Sequence, residues 1–145
     1  MHSPELISEI EYLLRKISGI IKQKGREILN DFPITLPQFI ALQWLNEDGD
    51  MTIGELSNKM YLAFSTTTDL VDRMEKNGLV ERVRDQKDRR VVQIHLLNKG
   101  KEIINEVLEA RREYLAHILE NMNQEEVDQM AISLKKLLKK MDEEV

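Results

Sequence analysis

The chain has 145 residues, 41% of them hydrophobic and 32% charged, which suits one soluble globular domain with a sizeable core. It contains no cysteine, so disulfides, thiolate nucleophiles, cysteine-based zinc sites and direct thiol redox sensing are excluded. The net charge of −5 is unevenly spread: residues 1–72 carry −5, residues 73–101 carry +5 and residues 102–145 carry −5. A basic centre between acidic ends points to a localised site for a polyanion, or to a solvated ribbon bridged to its own acidic neighbours.

The N-terminal stretch MHSPELISEIEYLLRK carries acids early and has no apolar leader. The longest unbroken apolar run, MYLAF, is far short of the roughly 20 residues that span a bilayer. A cytoplasmic protein without membrane contact is expected.

The first element is a helix over residues 5–30. Leu6, Ile10, Leu13, Ile17, Ile20 and Ile28 recur at helical spacing, and Asp31 and Pro33 end it. A second helix opens at TLPQ, where Thr35 and Gln38 form a capping box and Pro37 is tolerated in the first turn. Gly49 in NEDGD marks the turn that follows. Thr52 and Glu55 form a second capping box for a short third helix.

The fourth helix is STTTDLVDRMEKNG. Thr67, Leu70, Val71 and Met74 share one face; Ser65, Thr66, Asp69, Arg73 and Lys76 share the other. Gly78 stands where a left-handed cap is needed. The period then changes: LVERVR and VVQIHL are β-branched and roughly alternating, and the wholly polar DQKDRR between them reads as a hairpin loop. Asn98 can cap a long helix running to about Asn121, and NQEE starts a last one carrying Val127, Met130, Leu134 and Met141. Amphipathic helices of this length, at both ends of the chain, must bury their apolar faces. A second copy packed about a two-fold axis would do so, as would an elongated monomer whose terminal helices cover each other.

Helix, short helix, turn, helix and hairpin is the order of a winged helix-turn-helix. The chain is therefore read as mainly α with a small β-hairpin wing: a lobe at residues 35–97, flanked by dimerisation helices at 1–34 and 98–145. The polar face of the fourth helix fits the major groove of duplex DNA. Lys87, Arg89 and Arg90 at the hairpin tip fit the minor groove, where the potential is most negative. Asp88, an acid among these cations, either pairs with Arg90 and aims it or forms the turn, and the two roles are compatible.

The stretch STTTDLVDRMEKNGLVERVRDQKDRRVVQIHLLNKG resembles the central region of the MarR family of bacterial transcription regulators. The resemblance rests on LVDRMEKNGLVER, on the wing DQKDRR with its Asp-x-Arg pattern at Asp88 and Arg90, and on LLNKG; the flanking helices extend it over nearly the whole chain. It implies a homodimer with interleaved terminal helices on a pseudo-palindromic operator in double-stranded DNA. It also implies repression relieved by a small-molecule or stress signal. Residue by residue, it carries over Ser65, Thr66, Thr68, Asp69 and Arg73 as recognition-helix positions, Arg90 as the minor-groove residue and Asp88 as its brace. A small aromatic ligand between the dimer helices and the lobe is also implied, with Tyr12, Phe39, Trp44 and Tyr61 as candidate lining. Phe39 and Trp44 are equally suited to a core. Two positions depart from the family pattern. Asp69 stands where a basic or polar residue is usual, and Leu97 where a threonine is usual, which leaves capping to Asn98.

No phosphate loop, metalloprotease motif or nucleophile elbow is present, and no enzymatic activity or cofactor is expected. His2, His95 and His117 are scattered; His117 with Glu113 or Glu120 makes at most half a metal site, so no metal is expected. Two other readings have distinct signatures. A protein-interaction module would lack the steep salt dependence of phosphate binding. A dimerisation piece of a methyltransferase would need a catalytic domain beyond Val145.

Overall fold

The computed structural model describes residues 1–144. In chain order the elements are α1 (Pro4–Leu29), α2 (Leu36–Asp48), α3 (Ile53–Met60), α4 (Phe64–Lys76), β1 (Val80–Arg84), β2 (Val92–Leu96), α5 (Asn98–Leu119) and α6 (Gln124–Glu143). This is the mainly helical winged-helix arrangement that the sequence implies. No helix among the described residues is long and apolar enough to cross a membrane. The chain forms two compact units, Met1–Glu109 and Ala110–Val145.

The first unit holds the buried core. Thr35 and Thr52 each accept the backbone N–H three residues on, at 3.3 and 3.1 Å. Gln38 and Glu55 reach back to the cap N–H, so both capping boxes form and start α2 and α3 where the sequence places them. Leu42, Leu56, Val71, Met74, Ile94 and Ile104 are closed to solvent. Each of the larger ones contributes about 1.5–3 kcal/mol by burial. Ile28 and Leu29, at the end of α1, join this cluster, while most of the other apolar residues of that helix are exposed.

α4 buries Thr67, Val71 and Met74 and exposes Ser65, Thr66, Asp69 and Arg73, the division its periodicity predicts. Gly78, at φ 75°, turns the chain out of the helix into β1. β1 and β2 are antiparallel, with Val80 opposite Leu96 and Arg84 opposite Val92. Met51 adds a bridge that the sequence did not announce. Its backbone exchanges hydrogen bonds with Ile94 at 2.7 and 3.4 Å, pinning β2 to the segment between α2 and α3.

α5 starts differently from the expectation. The Lys101 N–H donates to the Leu97 carbonyl, and Asn98 is already helical, so it lies inside the first turn and does not cap it. Gly100 explains the close approach here: a Cβ at that position would lie 2.5 Å from the Leu79 carbonyl oxygen and 2.8 Å from Leu96.

In the second unit, Asn123 and Glu126 form a third capping box and start α6. None of the described residues of α6 is buried, and Leu134, Leu138 and Met141 are each more than half exposed.

Candidate DNA interface

Ser65, Thr66, Asp69 and Arg73 stand exposed along α4, and Thr68 is half-buried, its hydroxyl donating to the Phe64 carbonyl at 3.0 Å. Ala63 occupies the N-cap position of this helix and offers no side-chain acceptor, whereas α1, α2, α3 and α6 are all side-chain capped. The first N–H groups of α4 are therefore left for an outside acceptor, and the helix dipole favours an anionic one.

The wing is closed by two backbone bonds, from the Asp85 N–H to Val91 and from the Val91 N–H to Asp88. Both roles considered for Asp88 are present together. Oδ1 accepts from the Arg90 backbone N–H at 3.1 Å, and the carboxylate takes the guanidinium at 3.0 Å through Nε and again through Nη2. Arg90 lowers the Asp88 pKa, chiefly through the side-chain bond and then through the backbone bond. The Arg90 side chain is 90% exposed, so the guanidinium is aimed without being covered.

The other basic residues of the stretch divide into tethered and untethered. Arg84 donates to the Arg89 carbonyl and Lys99 to the Asn77 carbonyl, both at 2.8 Å; His95 lies 2.8 Å from Asp50. Arg82 is turned inward onto Asp72 and Glu75. The exposed side chains of Lys87 and Arg89 are left pointing into solvent at the tip. The internal role of Arg82 is a feature that sequence reasoning missed. Its signal is weak: Gly78 folds the chain back, so that position 82 comes alongside positions 72 and 75.

The four aromatic candidates are dispersed. Phe39 is 4% exposed in the core, and Trp44 is half-buried with the Lys59 ammonium 5.0 Å from its ring. Tyr12 is exposed on α1, while Tyr61 is 95% exposed in the left-handed turn between α3 and α4. A separate cavity of about 520 Å³ in the lobe is lined by Thr52, Ile53, Phe64, Arg82, Arg90 and Val92, among others. Among the described residues no cluster of His, Asp and Glu could hold a metal ion.

The family model described as "MarR family" matches residues 34–92. A MarR family protein from Bacillus stearothermophilus, of solved structure, superposes with a TM-score of 0.92, at 56% identity over 98% of this chain and 99% of that one. This chain belongs to the MarR family. YsmB of Bacillus subtilis (strain 168), an uncharacterised HTH-type transcriptional regulator, is 61% identical over 94% of each chain. A mutant of MepR from S. aureus was solved bound to an oligodeoxyribonucleotide; it is 27% identical, with a TM-score of 0.67, over 91% of this chain and 97% of its own. As a MarR protein, the chain is a DNA-binding transcriptional regulator and not an enzyme.

Proposed function

We propose that this MarR protein is a homodimeric, sequence-specific repressor. Residues 35–97 form the reading lobe, and residues 1–34 and 98–145 supply the dimerisation helices. The observation that carries the reading is the polar, side-chain-uncapped start of α4 in the same compact unit as a wing with exposed cations. α4 enters the major groove. Ser65, Thr66 and Thr68 meet phosphates or base edges, Arg73 meets the backbone or a guanine, and Asp69 accepts from cytosine N4. Lys87, Arg89 and Arg90 meet the minor groove, with Asp88 holding Arg90 in place.

Dimerisation is supported by the apolar residues of α1 and α6. Ile7, Ile17 and Ile20 on the one, and Leu134, Leu138 and Met141 on the other, are each more than half exposed in the single chain. A second copy covers them in this reading. Two lobes then span a pseudo-palindromic operator, and occupancy alone excludes polymerase. The protein would do this in the cytoplasm.

Release follows from a small-molecule or stress signal. The 520 Å³ cavity touches both Phe64 at the start of α4 and Arg90 in the wing, so an occupant would bear on both reading elements. Tyr12 is available to an aromatic ligand held between copies. A stress signal cannot act by cysteine oxidation, since the chain has no cysteine.

The test is selection from a randomised duplex pool at near-physiological salt. Enrichment of a palindrome with half-site centres about one helical turn, ~34–36 Å, apart is expected. A folded protein that enriches nothing, alone and with cell extract, would overturn the reading.

A further inference from the structure

One cation of the basic stretch is drawn out of solvent. Arg82 lies on β1 opposite the buried Ile94, and its side chain is 28% exposed. One guanidinium nitrogen donates to Asp72 and another to Glu75, each at 2.6 Å. Its backbone N–H donates to the other oxygen of Glu75 at 3.1 Å. Asp72 and Glu75 are three residues apart on α4, so the planar fork spans nearly one turn of that helix. Partial burial pulls the Arg82 pKa down, and the hydrogen bonds and charges of the two carboxylates outweigh it, leaving the pKa raised. The group stays cationic.

These bonds tie the side of α4 to the first strand of the wing. A direct backbone link at this junction is the Leu79 N–H to the Met74 carbonyl at 2.9 Å, at the turn itself. The Met51–Ile94 bridge holds β2 to the segment between α2 and α3, and the fork onto two carboxylates adds a side-chain tie that fixes the angle of β1 to α4 itself. Reading two grooves at once needs that angle, because the duplex sets their spacing.

We infer that Arg82 is a positioning residue for DNA recognition: through Asp72 and Glu75 it holds the recognition helix and the wing at the separation of adjacent grooves, and it contacts no phosphate. The inference rests on the docking reading above. It carries a consequence opposite to simple electrostatics. Removing an acid from a DNA-binding element should strengthen binding to a polyanion, yet here removing Glu75 weakens it.

The experiment measures binding of the full chain to its selected operator and to a scrambled duplex, across a salt series, with thermal melts to confirm folding. The variants are Arg82→Gln, Arg82→Lys, Glu75→Gln, the double Arg82→Gln/Glu75→Gln, and Arg89→Gln as the phosphate control. Arg82→Gln weakens operator binding about tenfold, Glu75→Gln weakens it in the same direction, and the double is no worse than Arg82→Gln alone, as coupled partners require. Their salt slopes match wild type, and scrambled-duplex affinity barely changes. Arg82→Lys stays impaired, because an ammonium on a flexible stem lacks the rigid planar fork that sets the angle. Arg89→Gln weakens both duplexes and lowers the slope by about 0.9. The inference is overturned if Arg82→Gln lowers the slope as Arg89→Gln does, if Glu75→Gln binds more tightly, or if neither variant changes operator affinity. Should Arg82→Gln fail to fold, Glu75→Gln, which leaves the Asp72 bond in place, carries the same test. A wild-type protein that binds no duplex takes down the docking reading as well; a wild type that binds, with the wrong variant pattern, takes down only the clamp.

Discussion

Helices α2 and α6 both carry leucines at helical spacing, but their environments differ. Ala41, Leu42 and Leu45 are almost closed to solvent, whereas Leu134, Leu138 and Met141 are each more than half exposed. α1 resembles α6 in this respect, with Ile17 and Ile20 open. The lobe's core draws on α2, α3, α4 and the hairpin, with Leu29 from the end of α1 and Ile103, Ile104 and Val107 from the start of α5; the rest of α1 and all of α6 have the pattern of core elements without the core. The same periodicity is satisfied within the chain in α2 and, in the proposed dimer, against a second copy in α6.

A charge placed on the exposed face of α6 separates solvent from a second copy as its neighbour. At a solvated helix position Leu138→Glu would change stability by no more than about 0.5 kcal/mol. Under a second copy it buries an unpaired carboxylate, at a cost of several kcal/mol. Sedimentation should show a wild-type dimer and a monomeric variant that no longer binds operator. A variant that stays dimeric with a wild-type melting temperature would return the α6 face to solvent.

Glycines sharpen the same contrast. Gly100→Ala drives a methyl group to 2.5 Å from the Leu79 carbonyl oxygen, and backbone there cannot step aside cheaply. A loss of about 1–3 kcal/mol is expected, read from the urea midpoint. Arg90→Ala is the next smaller effect. It should weaken operator binding about tenfold, or ~1.4 kcal/mol, with little change in melting, because the wing tip packs against almost nothing. Undiminished affinity would remove the wing from the interface.

In α1, Gly19 and Gly25 have nothing within 4 Å of an added Cβ in the single chain. Alanine at either should therefore stabilise by about 0.5–1 kcal/mol, as in any open helix. A destabilised Gly19→Ala dimer would instead mark the place where a second copy approaches the α1 backbone.

What could be read from the sequence follows the range of the interactions. Thr35 with Gln38, Thr52 with Glu55, and the NQEE start of α6 act within one turn, and Gly78 acts at its own backbone angle. Each is readable where it stands. The exposed face of α4 was legible too, because periodicity alone assigns it. The Met51 bridge was not: one apolar residue between Asp50 and Thr52 has no period, and its partner, Ile94, is remote in the chain. Arg82 was misleading for the same reason. Its charge is local and readable, but the carboxylates that claim it lie across a turn. Asn98 has the residue type of a cap, yet the chain enters α5 one residue earlier. The candidate site was thus legible in its exposed residues and hidden in the contacts that position them.

The smallest predicted effect concerns the carboxylate at the wing tip. Arg90 holds the Asp88 pKa below its ordinary value, first by the side-chain bond and then by its backbone N–H. For an acid whose pKa is depressed in the folded state, the brace is present above the ordinary carboxylate value and is lost as pH falls through the depressed one. Between neutral and mildly acidic pH, Asp88 should stay ionised and the wing braced. A carboxyl-detected NMR titration of Asp88 should therefore give a midpoint below that of an unpaired aspartate, and Arg90→Ala should move it upward. The backbone bond from residue 90 survives that substitution, so the return should be incomplete. An unmoved midpoint would mean that the Arg90 guanidinium does not rest on Asp88 in solution, and that it reaches DNA from an unbraced wing.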